Sequence, residues 1–516
     1  LLRTIDRLVA DGISPKLTIG VTPVLAEMLA AKRLREDFIA YCDERIKRAE
    51  ADRKAFHEDG AYGSGQLAAK WSDFYAGVLH DYLSTYKADL LGAFRRLQTA
   101  GHIEILASAA THGYLPLLGT DESVAAQIRA GVATHRRHFG AAPRGIWLPE
   151  CAYRPAGAWS RPVGKRRPMR RPGLEEALAA SGLRYFFVDT HLVAGGTPLG
   201  TYEDRFAEKP AAKSRKATGA SPNEPHDLVT KSKKRVAVFA RDPRSSTQVW
   251  SADYGYPGDG AYLEFHKKKG EGGLRYHAIT SRQTPLDNKE SYHPEPAAAR
   301  AKNHAEHFAG LVRDTLSQFH AANGRPGVVV APFDTELFGH WWFEGPQWLE
   351  AVIRNLQGDV APATASEFLD RYPPQSTIRL PEGSWGQGGH HWVWLNDDTK
   401  WVWDLVYRAE DAFLEVAIVA KRKRRPEVKR VVAQLARELL LLESSDWPFL
   451  ITTVAARDYA EGRARGHSES FEKLLNMARR AMDGPLAAED AAWLRELEAR
   501  DAPFPEIDLG WWTAEP

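Results

Sequence analysis

The sequence predicts a parallel α/β architecture of the barrel type, followed by an α-helical domain. Three observations carry this. Short apolar β-type runs recur between long helical stretches. Two of those runs end abruptly in a carboxylate that is followed at once by aromatic residues. After about residue 397 the β-type runs stop and only helical periodicity remains.

The β-type runs are residues 16–20, 103–107, 145–148, 185–188, 236–240 and 328–332. They are short and apolar, as strands buried on both faces are. Helical segments intervene at 24–31, 74–99, 123–139 and 174–180. A barrel is favoured over an open sheet because the candidate site residues follow different strands. Two stretches interrupt the alternation. Residues 207–234 are rich in Lys, Ala, Ser and Pro and read as an exposed, mobile insertion. Residues 270–301 are similarly polar and read as a long loop. Beyond 397, segments 401–421, 427–443, 451–462 and 469–483 carry apolar residues at 3- to 4-residue spacing. The domains expected are therefore 1–397, a catalytic barrel with inserted loops at about 207–234 and 270–301, and 398–516, a helical domain that packs on it.

Composition excludes several classes. The chain has 69 basic and 67 acidic residues among 516, a formal charge of +2, which points to neither nucleic acid nor an anionic membrane. No apolar run approaches the ~20 residues of a membrane span. The first residues, from Leu1 to Leu8, read as the middle of an amphipathic helix and not as a signal peptide, so the chain is expected to start inside a longer protein. The basic runs 161–171 and 421–425 read as solvated surface. Two cysteines, Cys42 and Cys151, form no disulfide framework and no four-thiolate metal site, which is in keeping with a reducing cytoplasm. Tryptophan is the outlier, with 16 copies. Core packing accounts for part of that number, and cleft tryptophans that stack on sugar rings are the functional alternative.

The two carboxylates are Glu150, closing Gly145-Ile146-Trp147-Leu148-Pro149, and Asp334, closing Val329-Val330-Ala331-Pro332-Phe333. Carboxylates at the C-terminal ends of barrel strands lie where active sites are built. Glycosidic bond cleavage needs such a pair: one carboxylate at the anomeric carbon and one to protonate the leaving oxygen. Surface or ion-paired carboxylates are the alternative reading. Flanking aromatics favour function, because excluding water raises the pKa of an acid. In a retaining enzyme the two groups lie roughly 5–5.5 Å apart. The glycine-rich segment around Trp385 allows close backbone approach to a ligand. Trp385 and Trp394 are candidate stacking platforms, with half-buried strand packing the alternative for Trp394. The histidines, among them His102, His112, His340, His390 and His391, show no zinc-hydrolase spacing, and nothing supports the Asp334/Glu336 pair as a metal site. No metal is expected.

These motifs resemble glycoside hydrolase family 57. The resemblance rests on Gly145-Ile146-Trp147-Leu148-Pro149-Glu150-Cys151-Ala152-Tyr153, on the run from Phe333 through Gly345, on Gly101-His102-Ile103-Glu104-Ile105 with Thr111-His112-Gly113-Tyr114, and on Leu380-Pro381-Glu382-Gly383-Ser384-Trp385-Gly386. Gln248-Val249-Trp250-Ser251, Gly255-Tyr256-Pro257-Gly258-Asp259 and Ser445-Asp446-Trp447-Pro448-Phe449 are most similar to its 1,4-α-glucan branching enzyme branch. The resemblance implies a (β/α)7 barrel and a retaining double displacement. Glu150 would be the nucleophile and Asp334 the acid/base, transferring a glucan chain to a 6-hydroxyl. It implies substrate contacts from His112, Trp250, His340, Trp341, Trp385, Trp394 and Asp446. It implies no cofactor, α-glucan donor and acceptor chains as the partners, and a cytoplasmic monomer or small homo-oligomer. An α-amylase or 4-α-glucanotransferase of the same family is the neighbouring reading, and a catalytically impaired glucan-binding protein a further one. The family's histidine-containing first-strand motif has no match here, so a barrel lacking its first strand is expected in this chain. Branching enzymes of the family shield the intermediate with a loop tyrosine, for which Tyr202 is a positional candidate.

Overall fold

The computed structural model describes residues 1–164, 167–195, 219–270, 273–422 and 425–512. Its strands are β1 (Leu17–Gly20), β2 (Ile103–Leu106), β3 (Gly145–Ile146), β4 (Gly157–Trp159), β5 (Met169–Arg171), β6 (Tyr185–Val188), β7 (His226–Val229) and β8 (Arg235–Ala240). The helices are α1 (Leu2–Ala10), α2 (Pro23–Ala30), α3 (Lys32–Glu58), α4 (Tyr62–His80), α5 (Leu90–Thr99), α6 (Asp121–Phe139), α7 (Leu174–Ala180), α8 (Thr190–Val193), α9 (Pro243–Trp250), α10 (Pro294–Asn323), α11 (Gly345–Asn355), α12 (Ala365–Arg371), α13 (Lys400–Ala420), α14 (Pro426–Leu442), α15 (Asp446–Thr453), α16 (Arg457–Asp483) and α17 (Ala488–Arg500).

The chain divides into two compact units. Unit one comprises residues 1–18, 29–104 and 241–372; unit two comprises 19–28, 105–240 and 373–516.

In unit one the long helices α3 and α4 form an antiparallel hairpin. Helices α10 and α11 pack beside a core of aromatic residues that includes Trp71, Tyr262, Trp342 and Trp348. The expected helix 74–99 is broken: α4 ends at His80, a π-helical turn covers Asp81–Thr85, and α5 starts at Leu90 with Asp89 as its cap. Residues 328–332, expected as a strand, form no ladder. They are half-buried, and Val330 is held through its carbonyl, which accepts from the Asp242 N–H (2.8 Å). Of the polar loop expected at 270–301, residues 294–301 are instead the start of α10, and the stretch 273–293 is not polar throughout, because Leu274, Tyr276, Ala278 and Tyr292 are buried. Its last residues lead directly into α10.

In unit two, β3, β6 and β8 run parallel and β7 closes the sheet antiparallel, in the order β3-β6-β8-β7. Ala107, just past β2, makes a parallel bridge to Ile146 on the open side of β3. The strands read as apolar runs because both faces are covered: Tyr185, Phe186, Phe187 and Val188 are all buried. Strand β7 falls inside the stretch expected to be a mobile insertion. His226, Asp227, Leu228 and Thr230 are buried there. Asp227 Oδ2 pairs with Arg235, and the Asp227 backbone bonds residues 376 and 378. Residues 207–218 and Tyr202 lie outside the described residues. Helices α13, α14, α15 and α16 complete the core through Phe413, Leu435, Leu439 and Leu474. The helix expected at 451–462 is broken at 454–456, between α15 and α16, and α16 then runs on through the helix expected at 469–483.

Candidate active site

The Glu150 centre belongs to unit two. Strand β3 continues extended to Leu148, where Pro149 starts a single 3₁₀ turn ending at Cys151. Glu150 (φ 60°, ψ 27°) and Cys151 (φ 49°) are both left-handed. Two successive non-glycine residues in this region cost of order 1–3 kcal/mol each, and such strain persists only where surrounding contacts enforce it. The enforcing contacts are present. The Trp385 N–H donates to the Glu150 carbonyl (3.1 Å), and Tyr153 and Gly383 exchange backbone bonds at 2.8 and 3.0 Å. The side chain is fixed as well: Trp385 Nε1–H donates to Glu150 Oε2 at 2.7 Å. The Trp385 ring meets the Trp147 ring edge-on, at 5.1 Å.

His112 approaches the other carboxylate oxygen. Its Nδ1 lies 3.8 Å from Glu150 Oε1 and 3.0 Å from Ser445 Oγ. Burial pushes the His112 pKa down to about 4, so the imidazole is neutral beside the carboxylate. The Glu150 carboxylate thus takes a short hydrogen bond from an indole and lies beside a neutral imidazole. Asp446 is exposed at the first position of α15, directly after Ser445.

Trp394 does not serve as expected. It is only 1% exposed, its ring stacks on Tyr114 at 4.4 Å, and its other contacts include the backbone of Gly386. The alternating His391-Trp392-Val393-Trp394 run is a series of turns and not a strand, so no face of Trp394 is left at the surface. Trp394 instead backs the centre. The Tyr114 hydroxyl bonds His391 Nδ1 (2.9 Å), and His391 Nε2 bonds Glu382 Oε1 (3.0 Å). Burial opposes ionisation of Glu382, but the His391 bond and the charges of His391 and Arg154 hold its pKa below the ordinary carboxylate value.

The Asp334 centre belongs to unit one. Asp334 ends the segment 328–333 and opens a 3₁₀ turn, Thr335–Leu337. The chain then knots tightly: Gly339 N–H donates to Trp342 O (2.9 Å), and Trp341 N–H donates to Glu336 O (3.1 Å). Gly339 has φ +104°, which side-chain-bearing residues rarely adopt. Phe333 anchors Asp334 among the rings of Trp250, Phe308, Phe338 and Trp348, with centroids 6.1–6.5 Å away. Burial in this setting, with repulsion from Glu336 added and the charge of Arg241 opposing, raises the Asp334 pKa from 3.8 to about 6. Trp250 is half-buried at the end of α9, and its indole N–H has no protein partner among the described residues. His340 is exposed and packs edge-on against Phe265 at 5.2 Å. Trp341 is 41% exposed, the most accessible of the expected platforms.

The roles of two residues escaped the sequence reading. Arg241, buried and acting on Asp334, is the charged residue that directly follows the apolar run 236–240. That position was its available signal. Ser445 holds His112; the motif 445–449 contains it, but nothing in that motif pairs it with His112. One further cluster has metal-ligand chemistry. Glu438, His467 and Asp501 present ligand atoms within 4.8 Å of one another in the helical region. They are already engaged: His467 with Glu438 at 2.8 Å, Gln434 with Glu438 at 3.0 Å, and Arg500 with Asp501 at 2.9 Å. The group is an ion-paired helix-packing network.

The chemistry available is therefore a carboxylate held by an indole beside a neutral imidazole, and a second carboxyl with a raised pKa among aromatic rings. The model of a family described as Glycosyl hydrolase family 57 matches residues 32–381. A second, described as 1,4-alpha-glucan branching enzyme, C-terminal, matches residues 405–512. A 1,4-alpha-glucan branching enzyme of Thermococcus kodakarensis is 44% identical over 521 residues, covering 100% of this chain and 73% of that protein. The crystal structure of a GH57-type branching enzyme from Pyrococcus horikoshii is similar at a TM-score of 0.88 and 38% identity, covering 100% of this chain and 90% of that one. The crystal structure of an alpha-amylase from Thermotoga maritima is similar at 0.80 and 30% identity, covering 100% and 92%. The fold class is thus that of the (β/α)7-type enzymes with a C-terminal helical region.

Proposed function

The chain belongs to glycosyl hydrolase family 57, and from that premise we propose that it is a 1,4-α-glucan branching enzyme. It acts on amylose- or glycogen-like chains as donor and acceptor. The observation that carries the assignment of roles is the contrast between the two carboxyl groups. Glu150 accepts an indole N–H, a bond that favours its ionised form, whereas burial raises Asp334 to about 6 and makes it the more readily protonated carboxyl, suited to proton transfer.

Glu150 attacks the anomeric carbon while Asp334 passes its proton to the leaving glycosidic oxygen. A covalent glucosyl-enzyme results. Asp334, now ionised, takes the proton of an acceptor 6-hydroxyl, whose oxygen displaces Glu150 and forms the α-1,6 bond with overall retention. Trp250, Trp341 and Trp385 flank the glucan, and His112, His340 and Asp446 hydrogen-bond its hydroxyls. Trp394 supports the centre from within the core.

The setting is cytoplasmic, and the protein acts as a monomer or small homo-oligomer without a cofactor. No helix of the described residues is long and apolar enough to cross a membrane. The match of residues 405–512 to the branching-enzyme C-terminal family supports a division into residues 1–397 and 398–516.

The likeness to an alpha-amylase favours one second reading, hydrolysis, in which water replaces the 6-hydroxyl. Incubation with amylose followed by debranching and chain-length analysis separates the two. Branching yields new α-1,6 linkages without a matching rise in reducing ends. Linear shortening with a stoichiometric rise in reducing ends would refute it.

A further inference from the structure

His112 is held from the helical region. Ser445 joins α14 to α15, is fully buried, and places its hydroxyl 3.0 Å from His112 Nδ1. Its backbone N–H donates to the His112 carbonyl (3.3 Å), and Gly113 and Ser444 form an antiparallel bridge. On the other side of His112, the Thr111 hydroxyl donates to the Leu440 carbonyl, and Gln127 spans Thr111 Oγ1 (3.0 Å) and Glu443 (2.8 Å). His112 is therefore clamped on both flanks, with φ +55°.

We propose that Ser445 is a positioning residue that locks His112 as its Nε2–H tautomer, keeping a ring proton away from Glu150 and presenting one to a glucosyl hydroxyl. The proposal rests on Glu150 being the nucleophile. A neutral imidazole has one ring proton to place. Ser445 Oγ makes no other hydrogen bond among the described residues. If Nδ1 carried the proton and donated to Oγ, the serine's own proton would be buried without an acceptor, at a real energetic cost. If the serine donates to Nδ1, no group is stranded, because the His112 side chain is 19% exposed and leaves room for Nε2–H to meet substrate.

The consequence for chemistry is direct. A proton on Nδ1, 3.8 Å from Glu150 Oε1, would need only a small ring rotation to hydrogen-bond the nucleophile. That bond would stabilise the attacking carboxylate before reaction and slow its attack. With a lone pair there, His112 offers Glu150 no such bond, and the Trp385 donor to Oε2 is kept.

The test uses the full chain labelled with ¹⁵N-histidine, with His112→Gln serving only to assign the His112 signals. The parent is expected to show a protonated Nε2 and a bare Nδ1 between about pH 6 and 8. Ser445→Ala is expected to mix the tautomers and lower kcat about tenfold with KM for amylose nearly unchanged, on the scale of one lost hydrogen bond. Ser445→Thr keeps the hydroxyl and should restore both. A parent with Nδ1–H overturns the proposal, and this reading needs no substitution to fold. Parent-like tautomer and kcat in Ser445→Ala also overturn it. Glu150→Gln is assayed alongside: if it remains as active as the parent, the nucleophile assignment itself fails, whatever the tautomer.

Discussion

Replacing Asp334 with Asn should abolish transfer and, above neutral pH, stabilise the fold. The carboxyl's rise from 3.8 to about 6 is caused first by burial, then by Glu336, with Arg241 opposing. The folded state therefore binds this proton more tightly than the unfolded state does. Its contribution to stability is fully present below pH ~4, where both states are protonated, and is lost as pH rises through about 6. At about 1.36 kcal/mol for each tenfold change in proton affinity, ionised Asp334 costs about 3 kcal/mol at pH 8. Asparagine is never ionised and avoids that cost. Each kcal/mol shifts the midpoint of a chain this long by roughly 1–2 °C, so Asp334→Asn should melt roughly 3–6 °C above the parent at pH 8 and level with it near pH 4. Paired thermal scans at the two pH values give the difference directly. In the parent, kcat/KM should fall above about pH 6 as the general acid loses its proton. A stability difference independent of pH, or an asparagine variant less stable at pH 8, would refute the reasoning.

Gly386→Ala should destabilise unit two by about 1–3 kcal/mol, since a Cβ there would lie 2.5 and 2.7 Å from atoms of the buried Trp394 indole; an unchanged denaturant midpoint would contradict the packing described. Trp394→Ala should cost about 3–5 kcal/mol as a core cavity. If it instead raised KM for amylose without loss of stability, Trp394 would be a platform after all. Trp341→Ala removes a 41%-exposed ring, so stability should hold within about 0.5 kcal/mol while affinity for soluble amylose, read by affinity electrophoresis, falls several-fold. Unchanged mobility would remove Trp341 from the substrate surface.

The carboxylates were legible because each closes an apolar run, and an apolar run is local. What holds them was not. The left-handed turn at Glu150 and Cys151 is enforced by Trp385 and Gly383, which lie far along the chain, and no local residue type signals it. Neither reading of Trp394 describes its place, because the run 391–394 is made of turns and not a strand, and the ring is buried in the core. The Trp394 carbonyl accepts there from Trp403 Nε1 at 2.7 Å. Strand β7 was hidden by its Lys- and Ser-rich flanks, since composition over a window averages away four buried residues. Residues 328–332 had strand-like composition but form no ladder, because composition does not supply a partner.

The clamp between His112 and Ser445 joins positions 333 residues apart in sequence. At ~5–20 residues per second, a ribosome that has just delivered His112 needs roughly 20–70 s more before Ser445 exists. During that interval the nascent chain carries Glu150 but not the hydroxyl that orients its neighbour. Completion of the catalytic surroundings is thereby tied to the last stages of synthesis.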